Sequence, residues 1–263
     1  MIFIGENRIS EASRILFALA FLALLPVTMF AQKTLSIAAA ADLQPVLPSL
    51  IADYAAQSKQ HIEASYQSSA TLSAQIENGA PFDLFLSADM SFPQKLIADR
   101  LCDSDKPFPY AQGTLVLWTR NDSHFAHPSL ATLRDPTLKR LAIANPQHAP
   151  YGRAAMASLT RLGLADVLKS RLVTAENISQ AAQFADSGNA NAGLLSLTSA
   201  LTDRLHASGS YFEMPANSYP PIVQGAVVLK KSAQQAAAHR FLEYLLSPAV
   251  KAKLAQRGLK PVR

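Results

Sequence analysis

The sequence predicts an α/β protein with a mostly parallel sheet, in which short strands alternate with helices. Three observations support this class. Apolar runs of strand length recur along the chain, for example at 35–40 and 114–119. Several of these runs end at small or polar residues suited to helix starts, such as Asp42. Apolar side chains at helical spacing then follow, as at Leu72 and Ile76.

The N-terminus has the pattern of a secretory signal peptide. Arg8 and Arg14 precede an apolar run at 15–25, which Pro26 ends. The run is too short to span a bilayer as a membrane helix, although an N-terminal anchor is the alternative. We therefore predict a signal peptide over residues 1–31, with cleavage after Ala31.

Charge and cysteine content limit the classes of function. The chain carries 24 basic and 19 acidic residues, a net charge of +5, and the predicted cleavage leaves that net charge unchanged. A modest positive excess helps to attract anions, but the scattered Lys and Arg residues do not indicate a nucleic-acid partner. Cys102 is the single cysteine, so no internal disulfide can form. His124 and His127 lack the neighbours that a metal site needs.

The most informative stretch is 63–89. It reads as a strand, a hydroxyl-rich turn at Ser68-Ser69, a short helix that ends at Asn78-Gly79, and a second strand at 82–87. Two serines at a helix start place hydroxyls and free backbone N–H groups around one point, at the positive end of the helix dipole. Such an arrangement suits a small anion, while a plain helix cap is the alternative.

This stretch, Ser-Ser-x-Thr-Leu-x-x-Gln-Ile-x-x-Gly-Ala-Pro-x-Asp-Leu-Phe-Leu-Ser-Ala-Asp, resembles the signature of the periplasmic molybdate-binding proteins that feed ABC importers. A second block, Asn-Pro-x-His-Ala-Pro-Tyr-Gly-Arg-Ala-Ala at 145–155, resembles the same family. Within it, His148 and Arg153 are expected to face solvent. The resemblance covers essentially the whole chain after the signal peptide.

The resemblance implies a two-lobed periplasmic-binding-protein fold of type II, with the ligand cleft between the lobes. Lobe 1 would comprise residues 32–112 and 220–263, and lobe 2 residues 113–219. We predict a Pro-interrupted connector at 101–111, just before the change of lobe.

The resemblance also implies a set of residues that bind the oxyanion: Ala41, Asp42, Ser68, Ser69, Tyr151, Ile178 and Ser196. Four of them, Asp42, Ser69, Tyr151 and Ile178, would be ligands of the oxyanion and not of a bare metal ion.

Two members of this set depart from the family pattern. An Asp at 42 replaces the Ser of some relatives, and we expect its carboxylate to turn back and cap its own helix, because it would repel a dianion. Ser196 stands where some relatives carry a Tyr ligand, and Tyr151 is expected to compensate.

The function that this resemblance implies is the capture of molybdate, and of tungstate, by a monomeric periplasmic protein that delivers the oxyanion to a membrane permease. No cofactor and no catalytic activity are expected. A carrier of the same fold for sulfate, phosphate or an organic anion is the first alternative. A secreted hydrolase is disfavoured, because the chain has no Gly-x-Ser-x-Gly elbow and no recognisable triad histidine.

Overall fold

The computed structural model describes residues 33–262, so the predicted signal peptide at 1–31 lies outside the described residues. The strands are β1 (Leu35–Ala40), β2 (Ile62–Gln67), β3 (Leu84–Ser87), β4 (Phe108–Gly113), β5 (Leu115–Arg120), β6 (Leu141–Ala144), β7 (Leu172–Ala175), β8 (Ala192–Ser196), β9 (Gly209–Glu213) and β10 (Ile222–Val228). The α-helices are α1 (Leu47–Ser58), α2 (Ser69–Glu77), α3 (Ser91–Ala98), α4 (Pro150–Arg161), α5 (Ala165–Leu168), α6 (Ile178–Asp186), α7 (Leu197–Ala200), α8 (Asp203–Ser208), α9 (Gln235–Leu246) and α10 (Pro248–Gln256). Within the described range, none of these helices has the length and apolar character needed to cross a membrane.

The strands form two five-stranded sheets. The first has the order β2-β1-β3-β10-β4 and the second the order β7-β6-β8-β5-β9. In the first sheet β1 pairs in parallel with β2 and β3, whereas β10 pairs antiparallel with β3 and β4. In the second, β6 pairs in parallel with β7 and β8, whereas β5 pairs antiparallel with β8 and β9. The α/β class is confirmed, but the prediction of a mostly parallel sheet is wrong, because β5 and β10 run against their neighbours.

The chain passes from one sheet to the other twice. It leaves the first sheet after Gly113 and enters the second at Leu115, and it returns between Glu213 and Ile222. The first sheet therefore combines strands from both ends of the described chain. The exact limits of the two lobes stay a prediction.

The stretch 101–111 is not only a connector, because it contains most of β4. Pro109 lies inside this strand, opposite Gly225 of β10. Proline cannot donate a backbone hydrogen bond, but β4 is an edge strand, where that loss is tolerated. The prolines at 107 and 109 therefore led to the prediction of a connector where the structure has a strand.

Each sheet has its own apolar core. Leu35, Leu47 and Phe241 are buried on the first sheet, and Trp118 is fully buried on the second. The Trp118 indole N–H donates to the carbonyl of Leu205 at 3.2 Å, so its polar atom is satisfied inside the core. Both sheets are thus rigid platforms for the loops at their strand ends.

The junction of β6 and α4 is unusually close. A Cβ atom placed on Gly152 would lie 2.2 Å from the carbonyl oxygen of Ala144, far inside van der Waals contact. Glycine therefore lets the first turn of α4 lie directly against the end of β6. This contact fixes the start of a helix that contributes to the site described below.

We predict that Gly152→Ala destabilises the protein by about 1–3 kcal/mol, because the added methyl group overpacks a backbone contact. The sign of this stability change is informative. At an unconstrained helix position, replacing glycine by alanine stabilises the helix by roughly 1 kcal/mol. Urea unfolding measures the change. Thr160→Ala, at an exposed position of the same helix, should shift stability by no more than about 0.5 kcal/mol. A Gly152→Ala variant as stable as the parent would contradict the predicted contact.

Candidate anion-binding site

A small cavity of about 10 Å³, about the space of one water molecule, lies where strand ends and helix starts of the two sheets meet. The residues that line it are small, polar or aromatic: Ala40, Ala41, Asp42, Gln67, Ser68, Ser69, Ala88, Ala149, Pro150, Tyr151, Asn177 and Ile178. No lysine, arginine or histidine is among them. The structure therefore brings together six of the seven residues predicted to bind an oxyanion, and Ser196 is not among the lining residues.

The first sheet contributes the start of α2. Ser68 is its N-cap, and its hydroxyl oxygen accepts the backbone N–H of Thr71 at 3.3 Å. Ser69 has a different role, because its Oγ accepts the backbone N–H of Ala88 at 3.0 Å. A hydroxyl that accepts this bond still has its own proton to donate. Ser69 thus lines the cavity with a hydroxyl proton left to donate, while Ser68 completes the helix end.

The second sheet contributes the starts of α4 and α6. Pro150 is the first residue of α4, and no side chain caps this helix. Asn177 caps α6 by accepting the backbone N–H of Gln180 at 3.0 Å. The first N–H groups of a helix have no intrahelical partner, so those of Tyr151 and Ile178 are free to bind an anion. Three helix starts of two sheets therefore surround one small space.

The predicted position of the Asp42 side chain is wrong. It was expected to cap its own helix, but it lies inside the 3-10 turn Ala41–Leu43, and α1 begins only at Leu47. Its side chain is fully buried, and Oδ2 accepts a hydrogen bond from the Gln224 amide of β10. Oδ1 has no hydrogen-bond partner among the described residues. Burial raises the pKa of this carboxyl from 3.8 to about 7, while the Gln224 amide and, more weakly, the neighbouring Tyr151 phenol and the Asp42 backbone act to lower it.

Tyr151 is buried beside Asp42. A Cβ atom on Gly113 would lie 2.1 Å from the phenol oxygen, so the phenol fits only because residue 113 has no side chain. Burial, together with the nearby Asp42 carboxylate, raises the pKa of Tyr151 well above 10. The hydroxyl therefore keeps its proton, and in this structure it has no hydrogen-bond partner of normal geometry. It is available as a further neutral donor.

Hydrogen bonds link the two sheets around the cavity. Ser179 donates its hydroxyl to the Ala41 carbonyl at 3.0 Å, and Thr198 donates to the Asp42 carbonyl at 2.8 Å. The backbone N–H of Ala70 donates to the His148 carbonyl at 3.1 Å. These contacts hold the strand end at Ala41-Asp42 against α6 and α7.

Arg153 and His148 both keep a large exposed fraction, as expected, but Arg153 also has partners in the protein. The His148 side chain is half exposed. Arg153 forms an ion pair with Asp89, which follows β3, and its guanidinium lies 5.3 Å from the centre of the Phe92 ring. Arg153 therefore bridges the two sheets beside the cavity and does not line it.

Ser196 does not line the cavity but is connected to it by hydrogen bonds. It is the N-cap of α7, and its hydroxyl lies 2.8 Å from the Ser199 hydroxyl and 2.9 Å from that of Thr198. Thr198 in turn donates to the carbonyl of Asp42. Ser196 thus belongs to a chain of hydroxyls that ends on the backbone of a cavity residue.

Sequence reasoning missed three residues that shape the site: Ser179, Thr198 and Gln224. Gln224 is a polar residue within an apolar strand, and that pattern indicates a buried partner. Thr198 lies in a hydroxyl-rich strand-to-helix junction like the one at Ser68-Ser69, which is a usable signal too. Nothing in the sequence distinguishes Ser179 from other serines at helix starts.

Comparison with known proteins identifies the family. Residues 35–260 match the family model described as bacterial extracellular solute-binding protein. The chain belongs to this family of extracellular solute-binding proteins. Two relatives are the molybdate-binding proteins ModA of Azotobacter vinelandii, 35% identical over 81% of this chain and 84% of the relative, and of Rhodobacter capsulatus, 39% identical over 66% of this chain and 67% of the relative.

A solved structure gives the same result at the level of the fold. The periplasmic molybdate-binding protein of Azotobacter vinelandii superposes with a TM-score of 0.82 at 34% identity, covering 87% of this chain and all of that chain. The two-lobed periplasmic-binding-protein fold is therefore confirmed. The family is one of solute-binding proteins, which points to binding as the function.

We predict that Thr198→Val destabilises the protein by about 1–3 kcal/mol, because it leaves the buried Asp42 carbonyl without its donor. Valine keeps nearly the same volume, so the change isolates the hydroxyl. Urea unfolding measures the loss, and Thr174→Val at an exposed position of β7 should have little effect. Equal stability of the two variants would show that the hydroxyl chain does not hold the sheets together.

Proposed function

We propose that this protein captures molybdate in the cavity between its two sheets and delivers it to the membrane permease of an ABC importer. One observation carries the proposal. Three helix starts and the Ser69 hydroxyl converge on a cavity that no lysine or arginine lines, in a chain 35–39% identical to proteins named for molybdate binding.

The physical basis is recognition by neutral donors. Backbone N–H groups at helix starts carry partial positive charge from the helix dipole, and the Ser69 and Tyr151 hydroxyls add two more donors. A tetrahedral dianion with four equivalent oxygens can accept from all sides of such a shell. Because both sheets contribute donors, binding favours the closed arrangement of the lobes.

The fixed positions of the donors are our proposed basis for discrimination among oxyanions. Sulfate is tetrahedral and doubly charged like molybdate, but it is smaller. Donors that are fixed by rigid strand and helix ends cannot all follow a smaller ion inward. We therefore propose that tungstate, which is close to molybdate in size, is a second ligand and that sulfate binds weakly.

The remaining parts of the proposal concern the cell. The predicted signal peptide at 1–31 and the similarity to the periplasmic molybdate-binding protein of Azotobacter vinelandii support export to the periplasm. The protein is proposed to act as a monomer, whose lobe surfaces dock on the permease. No resident cofactor is required, because the oxyanion itself is the cargo.

The first experiment measures the melting temperature of the exported protein with molybdate, tungstate, sulfate or phosphate, or without ligand. A ligand at 1,000 times its dissociation constant stabilises by about 4 kcal/mol, a rise of roughly 8–16 °C for a chain of this size. We expect this rise with molybdate and tungstate. A rise with sulfate or phosphate alone would keep the carrier role and overturn the substrate.

We predict that Ser69→Ala weakens molybdate binding by roughly 10- to 150-fold, the equivalent of one hydrogen bond to a charged ligand at about 1.5–3 kcal/mol. Isothermal titration calorimetry measures the affinity. Ser73→Ala is the matched control, because Ser73 is buried in the same helix but its hydroxyl binds Glu77 at 3.0 Å and does not line the cavity. If both variants bind as tightly as the parent, Ser69 is not a ligand.

A further inference from the structure

Asp42 is a buried carboxyl that lacks the usual compensation. Only one of its oxygens is hydrogen-bonded, to Gln224, and Oδ1 has no partner among the described residues. Asp83, which is also buried, differs: its Oδ2 accepts the Ser36 N–H at 2.8 Å, and its Oδ1 accepts the Ser232 hydroxyl at 2.5 Å. The protein thus satisfies one buried carboxylate fully and leaves the other with a free oxygen in the cavity wall.

The neighbours of Asp42 provide no positive charge. Tyr151 of α4 and Tyr110 of β4 face it, and burial keeps both phenols neutral by raising the pKa of each. Gln224 of β10 donates an amide, and α6 and α7 present hydroxyls to the backbone nearby.

Charged groups lie further out. Arg153 is paired with Asp89, and the half-exposed His148 ring lies about 4.0 Å from Glu176. No lysine, arginine or histidine in the described part of the chain forms an ion pair with Asp42.

An ionised Asp42 would be costly in this environment even before a ligand binds. Burial raises the pKa of the carboxyl to about 7, even though the Gln224 amide acts to lower it. A dianion in the same cavity would add the repulsion of a like charge at short range, which raises the pKa further. A protonated carboxyl, in contrast, has an O–H that can donate to an oxyanion oxygen, just as the Ser69 hydroxyl does.

We propose that Asp42 is a specificity-determining residue that holds a proton whenever the oxyanion is bound, so that capture of each dianion takes up one proton from solvent. The proposal rests on the proposed function of the same cavity. Gln224 donates to Oδ2 and thereby leaves Oδ1 to carry the proton toward the ligand. No covalent bond forms or breaks except the O–H bond of the carboxyl.

The proposal fixes the sign of the pH dependence. Opening of the lobes would let solvent reach Asp42 and return its pKa toward the ordinary value of about 3.9. In the closed structure burial raises the pKa to about 7 without any ligand, and a bound dianion would raise it further. The affinity for the oxyanion is therefore highest at pH values below the Asp42 pKa of the open form. As the pH rises between the two pKa values, the affinity falls by up to about tenfold per pH unit. It becomes constant above the pKa of the bound form.

The test is calorimetric titration of molybdate between about pH 6.5 and pH 8.5, in buffers that differ in ionisation enthalpy. For the wild-type protein we expect uptake of about one proton per molybdate and an affinity that falls with rising pH. Asp42→Asn places an amide N–H where the acid would carry its proton, so we expect binding without proton uptake and with a flat pH profile. These two expectations stand on independent measurements, and the wild-type measurement does not depend on the variant being folded.

His148→Gln provides the control for the other titratable group near the cavity. We expect this variant to retain proton uptake and pH dependence. Loss of both in His148→Gln would place the proton on His148 and overturn the proposal. Tight molybdate binding by the wild type with a flat pH profile and no proton uptake would also overturn it, while leaving the proposed function intact. Absence of binding to every oxyanion at every pH would overturn the proposed function and this inference with it.

Discussion

The contact on which the site depends is the one between the strand end at Ala41-Asp42 and two hydroxyls of the other sheet. Ser179 and Thr198 each donate to one of these two carbonyls. A buried carbonyl without a donor costs about 1–3 kcal/mol, so opening the sheets requires solvent to replace both bonds. The cavity is closed because the residues that follow β1 of the first sheet are hydrogen-bonded to helices of the second sheet.

This arrangement explains why an anion site can lack cations. A lysine or arginine would bind any anion and would hold it by charge alone. Donors at three helix starts instead have fixed positions, because each start is set by its own cap or strand contact, such as Gly152 against Ala144. Their selectivity therefore comes from geometry. The carboxyl in the cavity wall, Asp42, has the wrong sign for an anion when it is ionised, and this is why its protonation state matters.

The sequence predicted what is local and missed what is distant. Ser68, Ser69 and Tyr151 could be assigned because a strand, a turn and a helix start follow one another within a few residues. Thr198 and Gln224 could not, because their bonds reach Asp42 across 156 and 182 residues. The same limit applies to Pro109, whose strand is possible only at a sheet edge. The prediction that the Asp42 carboxyl caps its own helix was wrong for the same reason. The Gln224 amide that binds this carboxyl is distant in sequence, so the residues around Asp42 do not reveal it.

The peptide unit between Ala41 and Asp42 connects closure to binding. Its carbonyl accepts the Ser179 hydroxyl, and its N–H belongs to a residue that lines the cavity. A hydrogen bond to the oxygen of a peptide group polarises that group, so its N–H becomes a stronger donor to an anion. An anion on the N–H strengthens the bond to the carbonyl in return. We propose that closure of the lobes and capture of the oxyanion stabilise each other through this one peptide unit.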